Sequence, residues 1–291
     1  MKTILSREIL VFMPSKKFPS ISITGNKCWL MCNYCMGRFL KGMDHVYTPK
    51  QLYDLARYYA KKGAHGLLIS GGFTREGYLP IQPYLDTIRE IKKNFGLIIN
   101  VHPGLIDKEL AVKLRNAGVD IVDYELVLDN RIIRDIKHLN KTIEDYIRTY
   151  ETLAREGPPY IAPHIMIGAK YGGIDWEYTA IDLLRDYNPY LVVFLLIIPA
   201  RGTLFVNVSI PKINQVIDVL KYARRKLNTE LSMGCMRPSP VKNSLDEILI
   251  ENKLVNRIVN PHPLLIKKYG LKIIETCCSV PRKILVEKGL L

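Results

Sequence analysis

The sequence predicts an α/β protein built as a (β/α) barrel, complete or partial. Three observations carry this. Short apolar runs alternate with amphipathic helical patterns along nearly the whole chain. The strand-like runs are apolar on both faces, as strands of a parallel sheet covered by helices must be. Six to eight such units fit within the 291 residues, the scale of such barrels.

Residues 20–25 (SISITG) alternate as a strand and lead into a cysteine-rich loop. Thr48 then caps a helix with Pro49 at its first position, running to about residue 62. Residues 66–70 form a buried strand ending in Gly71-Gly72, followed by a helix over 80–94. A strand over 97–101 precedes a helix over 107–116 that stops at Gly118. Residues 119–125 are the fourth strand, with helical segments near 130–137 and 142–156. Strand 160–167 leads to helix 176–187, and strand 191–198 to helix 211–227. A seventh strand over 230–235, a helix over 244–255, a short strand over 257–260, a helix over 263–269 and a strand-like run over 271–276 complete the pattern.

Gly and Pro are spread along the chain rather than pooled in a linker, so a single domain over 1–291 is expected. Residues 1–18 form an N-terminal extension, and 229–291 a C-terminal part with its own cysteines. Lys2, Arg7 and Glu8 interrupt any apolar run at the start, so no signal peptide is expected. Residues 191–198 are far shorter than the roughly 20 that a membrane span needs. A cytoplasmic protein with no membrane partner follows. The formal net charge is +14. Either a Lys/Arg-rich surface or an acidic partner accounts for it; no block of five or six like charges is present.

Six cysteines in such a chain are poor candidates for disulfides. Their layout is three plus three, which points to two metal sites. Cys28, Cys32 and Cys35 lie in one eight-residue window, Cys28-Trp29-Leu30-Met31-Cys32-Asn33-Tyr34-Cys35. Thiolates suit iron–sulfur clusters or zinc. Three of them grip three irons of a cubane and leave the fourth open to the amino and carboxylate groups of a small molecule. A structural zinc needs a fourth ligand, for which His45 is the only nearby candidate. The second group is Cys235, after the seventh strand, and Cys277-Cys278 before Ser279. If their loops meet at the barrel mouth, three thiolates would hold a second cluster, with Ser279 or a substrate as fourth ligand. Buried structural cysteines are the alternative.

The window C-x3-C-x2-C after the first strand, with Tyr34 before the last cysteine, resembles the radical S-adenosylmethionine (SAM) superfamily. The resemblance implies a four-iron cluster that binds SAM at its open iron and cleaves it to methionine and a 5′-deoxyadenosyl radical. Ser70-Gly71-Gly72 resembles the family's turn at the methionine amino group, with Phe73 in place of the usual acidic residue. Ile165-Met166-Ile167-Gly168 resembles the stretch that packs on adenine, so Tyr34, Ser70, Gly71, Gly72, Ile167 and Gly168 are expected to bind SAM. Polar residues at strand ends complete the candidate site. They are His102 and Glu125 for SAM, Glu125 and Arg201 for substrate or cofactor orientation, and His164. A hydrogen-bonded interior network is the alternative for these.

Across nearly the whole chain, residues 21–25, 68–72, Arg201-Gly202-Thr203, Gly234-Cys235 and Thr276-Cys277-Cys278-Ser279 resemble archaeal-type biotin synthase homologues, some of them two-component lipoyl synthases. Unlike single-chain lipoyl synthases, this sequence has no cysteine before the first motif; unlike biotin synthases, it has none in the middle strands. The resemblance implies sulfur insertion into a protein-bound octanoyl chain, with an auxiliary four-iron cluster on Cys235, Cys277 and Cys278 as sulfur donor. It also implies an octanoylated lipoyl carrier protein, a second radical SAM subunit and an electron donor such as ferredoxin as partners. The alternatives are radical thiolation or methylation of tRNA, and a non-catalytic iron–sulfur carrier. Nucleic acid is not the expected partner, because no basic stripe with interleaved aromatics is present.

Overall fold

A computed structural model describes residues 8–291; the first seven residues of the expected N-terminal extension lie outside the described residues. The strands in chain order are β1 (Leu10–Phe12), β2 (Ser20–Ser22), β3 (Asp44–His45), β4 (Gly66–Ser70), β5 (Ile98–Val101), β6 (Ile121–Glu125), β7 (Tyr160–Ile167), β8 (Leu191–Leu196), β9 (Glu230–Met233), β10 (Arg257–Val259) and β11 (Lys272–Ile274). The helices are α1 (Pro49–Lys61), α2 (Leu85–Phe95), α3 (Lys108–Asn116), α4 (Ile143–Glu156), α5 (Trp176–Tyr187), α6 (Ile213–Lys226), α7 (Ser239–Glu251), α8 (Pro263–Tyr269) and α9 (Arg282–Glu287).

The described residues form two compact units, one of residues 14–161 and one of residues 8–13 with 162–291. In the first, the strands lie in the order β6-β5-β4-β2-β3, and every pairing is parallel. Parallel neighbours require crossovers, and α1, α2 and α3 supply them. β5 is buried along its whole length, which is why its sequence is a continuous apolar run apart from Asn100. Local chemistry sets the helix starts. Thr48 accepts from the Gln51 N–H at 3.2 Å, and Asp107 from the Leu110 N–H at 2.8 Å. Thr142 and Asp145 form a capping box at α4.

The second unit carries β11-β1-β10-β9-β8 and most of β7, again all parallel. The predicted class, a parallel strand–helix alternation of barrel type, is what the chain adopts. The part of the extension read as preceding the first strand is itself structural: Leu10, Val11 and Phe12 are fully buried between β10 and β11. Helix α7 starts at Ser239, five residues before the predicted start, because Pro238 and Pro240 open the helix instead of breaking it. The segment near 130–137 is a π-helical turn over Ile132–Ile136. No helix among the described residues is long and apolar enough to cross a membrane.

Candidate active site

The cysteine window occupies the loop after β2, in the first unit. Ser22 Oγ donates to the Gly25 carbonyl at 2.7 Å, and the Gly72 N–H donates to Thr24 Oγ1 at 2.6 Å. The Trp29 N–H bonds the Phe73 carbonyl at 2.9 Å. The Gly-Gly turn after β4 thus lies directly against the cysteine loop. A Cβ on Gly72 would sit 1.9 Å from the Lys27 carbonyl oxygen and 2.5 Å from Cys28 Cα, so only glycine fits there.

The far side of the loop rests on the π-helical turn. The Asn33 N–H bonds the Ile136 carbonyl at 2.9 Å, and Asn33 Nδ2 donates to the Asp135 carbonyl at 3.1 Å. Asn33 Oδ1 meets His138 Nε2 at 2.8 Å. A tight turn brings the Cys35 N–H to the Cys32 carbonyl at 2.8 Å.

The three thiols differ in setting. Cys28 and Cys35 are half-buried and Cys32 is buried. Burial pushes the Cys32 thiol up to about 12, against the lowering charge of Lys137. Burial also raises Cys35, while the backbone N–H groups of Phe39, Gly37 and Arg38 directed at its sulfur pull it back. Each thiol is close enough to the others for its charge to be felt. Three neighbouring soft donors, with N–H groups aimed at one sulfur and a side-chain-free turn alongside, fit an iron–sulfur cluster. Cys28, Cys32 and Cys35 would hold it. His45, the candidate fourth zinc ligand, instead donates its Nε2–H to the Leu40 carbonyl at 2.9 Å.

Beside Cys32 lies a buried polar network that the sequence did not reveal. Lys137, 3% exposed, is ion-paired with Glu125, which is 27% exposed. Tyr34 donates to Glu125 Oε1 at 3.2 Å and accepts from Lys137 Nζ at 3.3 Å. Burial opposes the charge on Lys137, but the Glu125 carboxylate overrides it and holds the pKa well above the ordinary lysine value. Tyr34 and Glu125, both expected at SAM, are therefore joined to each other through Lys137. A second chain runs across the ends of β4, β5 and β6. Ser70 Oγ meets His102 Nδ1 at 3.3 Å, His102 Nε2 meets Asp123 Oδ2 at 3.1 Å, and Asn100 Nδ2 donates to Asp123 Oδ2 at 2.8 Å. The C-terminal strand ends thus gather Ser70, Gly71, Gly72, His102 and Glu125 in one unit with the cysteine loop.

A family model of the radical SAM superfamily matches residues 22–183. The chain belongs to the radical SAM superfamily. Membership implies a four-iron cluster and SAM as cofactors. The chain is 30% identical over 130 residues to a GTP 3′,8-cyclase of Staphylococcus haemolyticus, a match covering 41% of this chain and 37% of that protein. It thus spans well under two thirds of that relative. Among solved structures it is similar to methylornithine synthase (TM-score 0.64, 14% identity, 99% of this chain and 87% of the other). It is also similar to HydG, a maturase of the [FeFe]-hydrogenase (TM-score 0.68, 12% identity, 97% and 67%). At these identities the likeness is one of fold.

The remaining predicted site residues lie in the second unit. Gly168 follows β7 directly, with a left-handed φ of 80°. Its N–H donates at 2.8 Å to Glu177, a fully buried residue that also accepts from the Asp175 N–H at 3.0 Å. Burial raises this carboxyl to about 7. Glu177 was missed from the sequence; an acid in the first turn of α5, on its buried side, was the available signal. Ile167 is buried beside Gly168. His164 Nδ1–H donates to the Ala162 carbonyl at 2.9 Å. Arg201 is exposed in a turn.

Cys235 is exposed just past the end of β9. Its turn is fixed by the buried Arg237, which bonds the Gly234 and Val259 carbonyls and pairs with Asp246 at 2.7 Å. Cys277 is half-buried and Cys278 buried. Arg257, the first residue of β10, donates to the Cys278 carbonyl at 2.5 Å and the Val280 carbonyl at 2.6 Å. Tyr190, just before β8, donates to the Ser279 carbonyl at 2.5 Å. Arg282 pairs at 2.5 Å with Glu230, the first residue of β9. Burial would raise the pKa of Glu230, but Arg257 and Arg282 bring it below the usual value. Both cysteine loops were expected at the C-terminal strand ends. This holds for Cys235, whereas residues 278–282 turn back to partners at the strand starts, where the buried charges of Arg257 and Glu230 require them. The Ser279 hydroxyl is buried with no hydrogen-bond partner among the described residues.

Proposed function

We propose that the chain generates a 5′-deoxyadenosyl radical from SAM and uses it to abstract hydrogen from an aliphatic substrate. The observation that carries this is the packing of the Cys28, Cys32 and Cys35 loop against the Gly71-Gly72 turn at the strand ends. When bound, the cluster and SAM together supply the radical. The chain's own residues hold and shield them. The three thiols ligate iron, and Ser70 with the backbone of Gly71 and Gly72 receives the methionine end. The Tyr34–Glu125–Lys137 network keeps the buried side of the loop charged and ordered.

The finer reading is sulfur insertion into an octanoyl chain carried on a lipoyl carrier protein, as a subunit of a two-component lipoyl synthase working with a second radical SAM subunit. In that reading Cys235, Cys277 and Cys278 would hold an auxiliary sulfur-donating cluster, which requires residues 278 and 279 to leave the strand-start partners Arg257 and Tyr190. Support comes from the sequence resemblance. Cyclisation of a purine nucleotide is the second reading, favoured by the similarity to GTP 3′,8-cyclase.

The test is anaerobic incubation of the reconstituted protein with SAM, reductant and either an octanoylated lipoyl domain or GTP, read by mass spectrometry. Sulfur on the octanoyl chain supports the first reading, and a cyclised nucleotide the second. 5′-Deoxyadenosine with neither product would retain the radical chemistry and discard both substrates.

A further inference from the structure

The buried lysine of the network stands where its charge bears on the cysteine loop. The π-helical turn Ile132–Ile136 packs against the inner side of that loop. Asn33, the residue after Cys32, bonds the Ile136 carbonyl through its N–H at 2.9 Å and the Asp135 carbonyl through Nδ2 at 3.1 Å. These bonds hold Lys137, which directly follows the turn, against the segment between Cys32 and Cys35. Its Nζ reaches the Tyr34 hydroxyl at 3.3 Å. Both the Lys137 side chain and Cys32 are buried, so water screens their interaction little.

Two phenols, Tyr34 and Tyr146, also surround the ammonium, and burial pushes both upward, so they stay neutral. Lys137 and Glu125 are then the fixed charges of the network, and they do not cancel at Cys32. Lys137 is the stronger of the two there and favours the thiolate, while Glu125 opposes it. Glu125 also keeps some solvent, which weakens its field further. A buried ion pair is weak evidence for stability, since apolar side chains of similar volume often serve as well. The pair therefore invites a role beyond holding the loop.

We propose that Lys137 tunes the electron affinity of a cluster held by Cys28, Cys32 and Cys35, its buried charge raising the reduction potential and Glu125 partly offsetting it. The inference rests on those three cysteines being the ligands. A one-electron reductant loses one electron and the cluster gains it; no bond forms or breaks. The site becomes more negative by one charge, and a fixed cation beside it favours that state. Lys137 acts on the cluster through its field without ligating iron, which makes it a positioning residue rather than a catalytic one.

The experiment is a redox titration of the anaerobically reconstituted holoprotein without SAM at pH 7. Titanium(III) citrate is the reductant, and the reduced cluster is read by electron paramagnetic resonance. Lys137→Met leaves the Glu125 carboxylate alone beside the loop. At a fixed potential it should lower the ratio of reduced to oxidised cluster about tenfold, a downward shift of about 59 mV for one electron. Glu125→Gln should move the ratio the other way by a smaller factor, because the anionic site keeps Lys137 protonated. The double variant should lie between Lys137→Met and the parent, and Lys137→Arg, which keeps the charge, should stay near the parent. Lys92→Met is the control. Lys92 bonds the Leu97 carbonyl and Asp120, before β5 and β6 at the opposite ends of the strands, so its loss should not move the potential. A purely structural role for Lys137 predicts lost iron but one potential in every molecule that keeps its cluster. Equal potentials in the parent, Lys137→Met and Glu125→Gln would therefore overturn the proposal, as would an equal shift in Lys92→Met. If Lys137→Met retains no iron, Glu125→Gln decides: an upward shift supports the proposal, and no shift or a downward one overturns it. A parent protein with no reducible cluster would overturn the ligand assignment instead, and with it the basis for the proposal.

Discussion

Replacing Lys137 by Met tests the buried network directly. Its ammonium is almost inaccessible and serves both Glu125 and the Tyr34 hydroxyl. Removing one partner of a buried pair costs about 3–5 kcal/mol, because the other charge is left uncompensated. Glu125 keeps some solvent and the hydroxyl donation from Tyr34, so Lys137→Met should fall near the lower end, about 3 kcal/mol. Glu125→Gln leaves a lysine with almost no solvent and should cost at least as much. The double variant removes both charges and should recover about 2 kcal/mol relative to the sum of the singles. The assay is urea unfolding of the cluster-free protein, followed by circular dichroism under anaerobic conditions. A single-variant cost below about 1 kcal/mol, or strict additivity in the cycle, would refute the view that this pair is a buried, mutually dependent unit.

Other outcomes follow from the same geometry. Gly72→Ala places a methyl against the Lys27 carbonyl and Cys28; bound iron per chain should fall sharply, while Gly42→Ala, where no atom lies within 4 Å, should leave it unchanged. Glu177 has a folded pKa of about 7 against an ordinary 4.5. Between those values the unfolded chain releases a proton that the fold retains, so stability falls as pH rises, by about 3 kcal/mol in total. Glu177→Gln should flatten that part of the stability–pH curve, and an unchanged slope would contradict the assignment. Arg237→Met strands Asp246 in a pair with no exposure on either side. It should cost about 3–5 kcal/mol in chemical unfolding and increase proteolysis near Cys235.

The radical SAM signature was legible because it is local: three thiols, an aromatic and a strand-to-loop context all fall within about a dozen residues. The strand–helix alternation was legible for a similar reason, since each buried parallel strand declares itself as an apolar run. What escaped the sequence depends on distant partners. Leu10–Phe12 is only three residues long and becomes a strand because β10 and β11, some 250 residues away, pair with it. Lys137 looks like any helical lysine until the π-helical turn carries it to Glu125 and Tyr34. Glu125 was legible as a strand-end acid, but its engagement with Lys137 was not. Cys277 and Cys278 were read from a strand that stops at Ile274; the turn back of residues 278–282 is set by Arg257 and Glu230, buried charges whose pairing no local pattern announces.

The central claim is that Cys28, Cys32 and Cys35 support radical cleavage of SAM. The decisive measurement is 5′-deoxyadenosine formed by the anaerobically reconstituted protein with SAM and dithionite, beside the variant with these three cysteines changed to alanine. The account predicts 5′-deoxyadenosine from the parent protein and none above background from the variant. No product from an iron-loaded parent, or equal product from both, would contradict it.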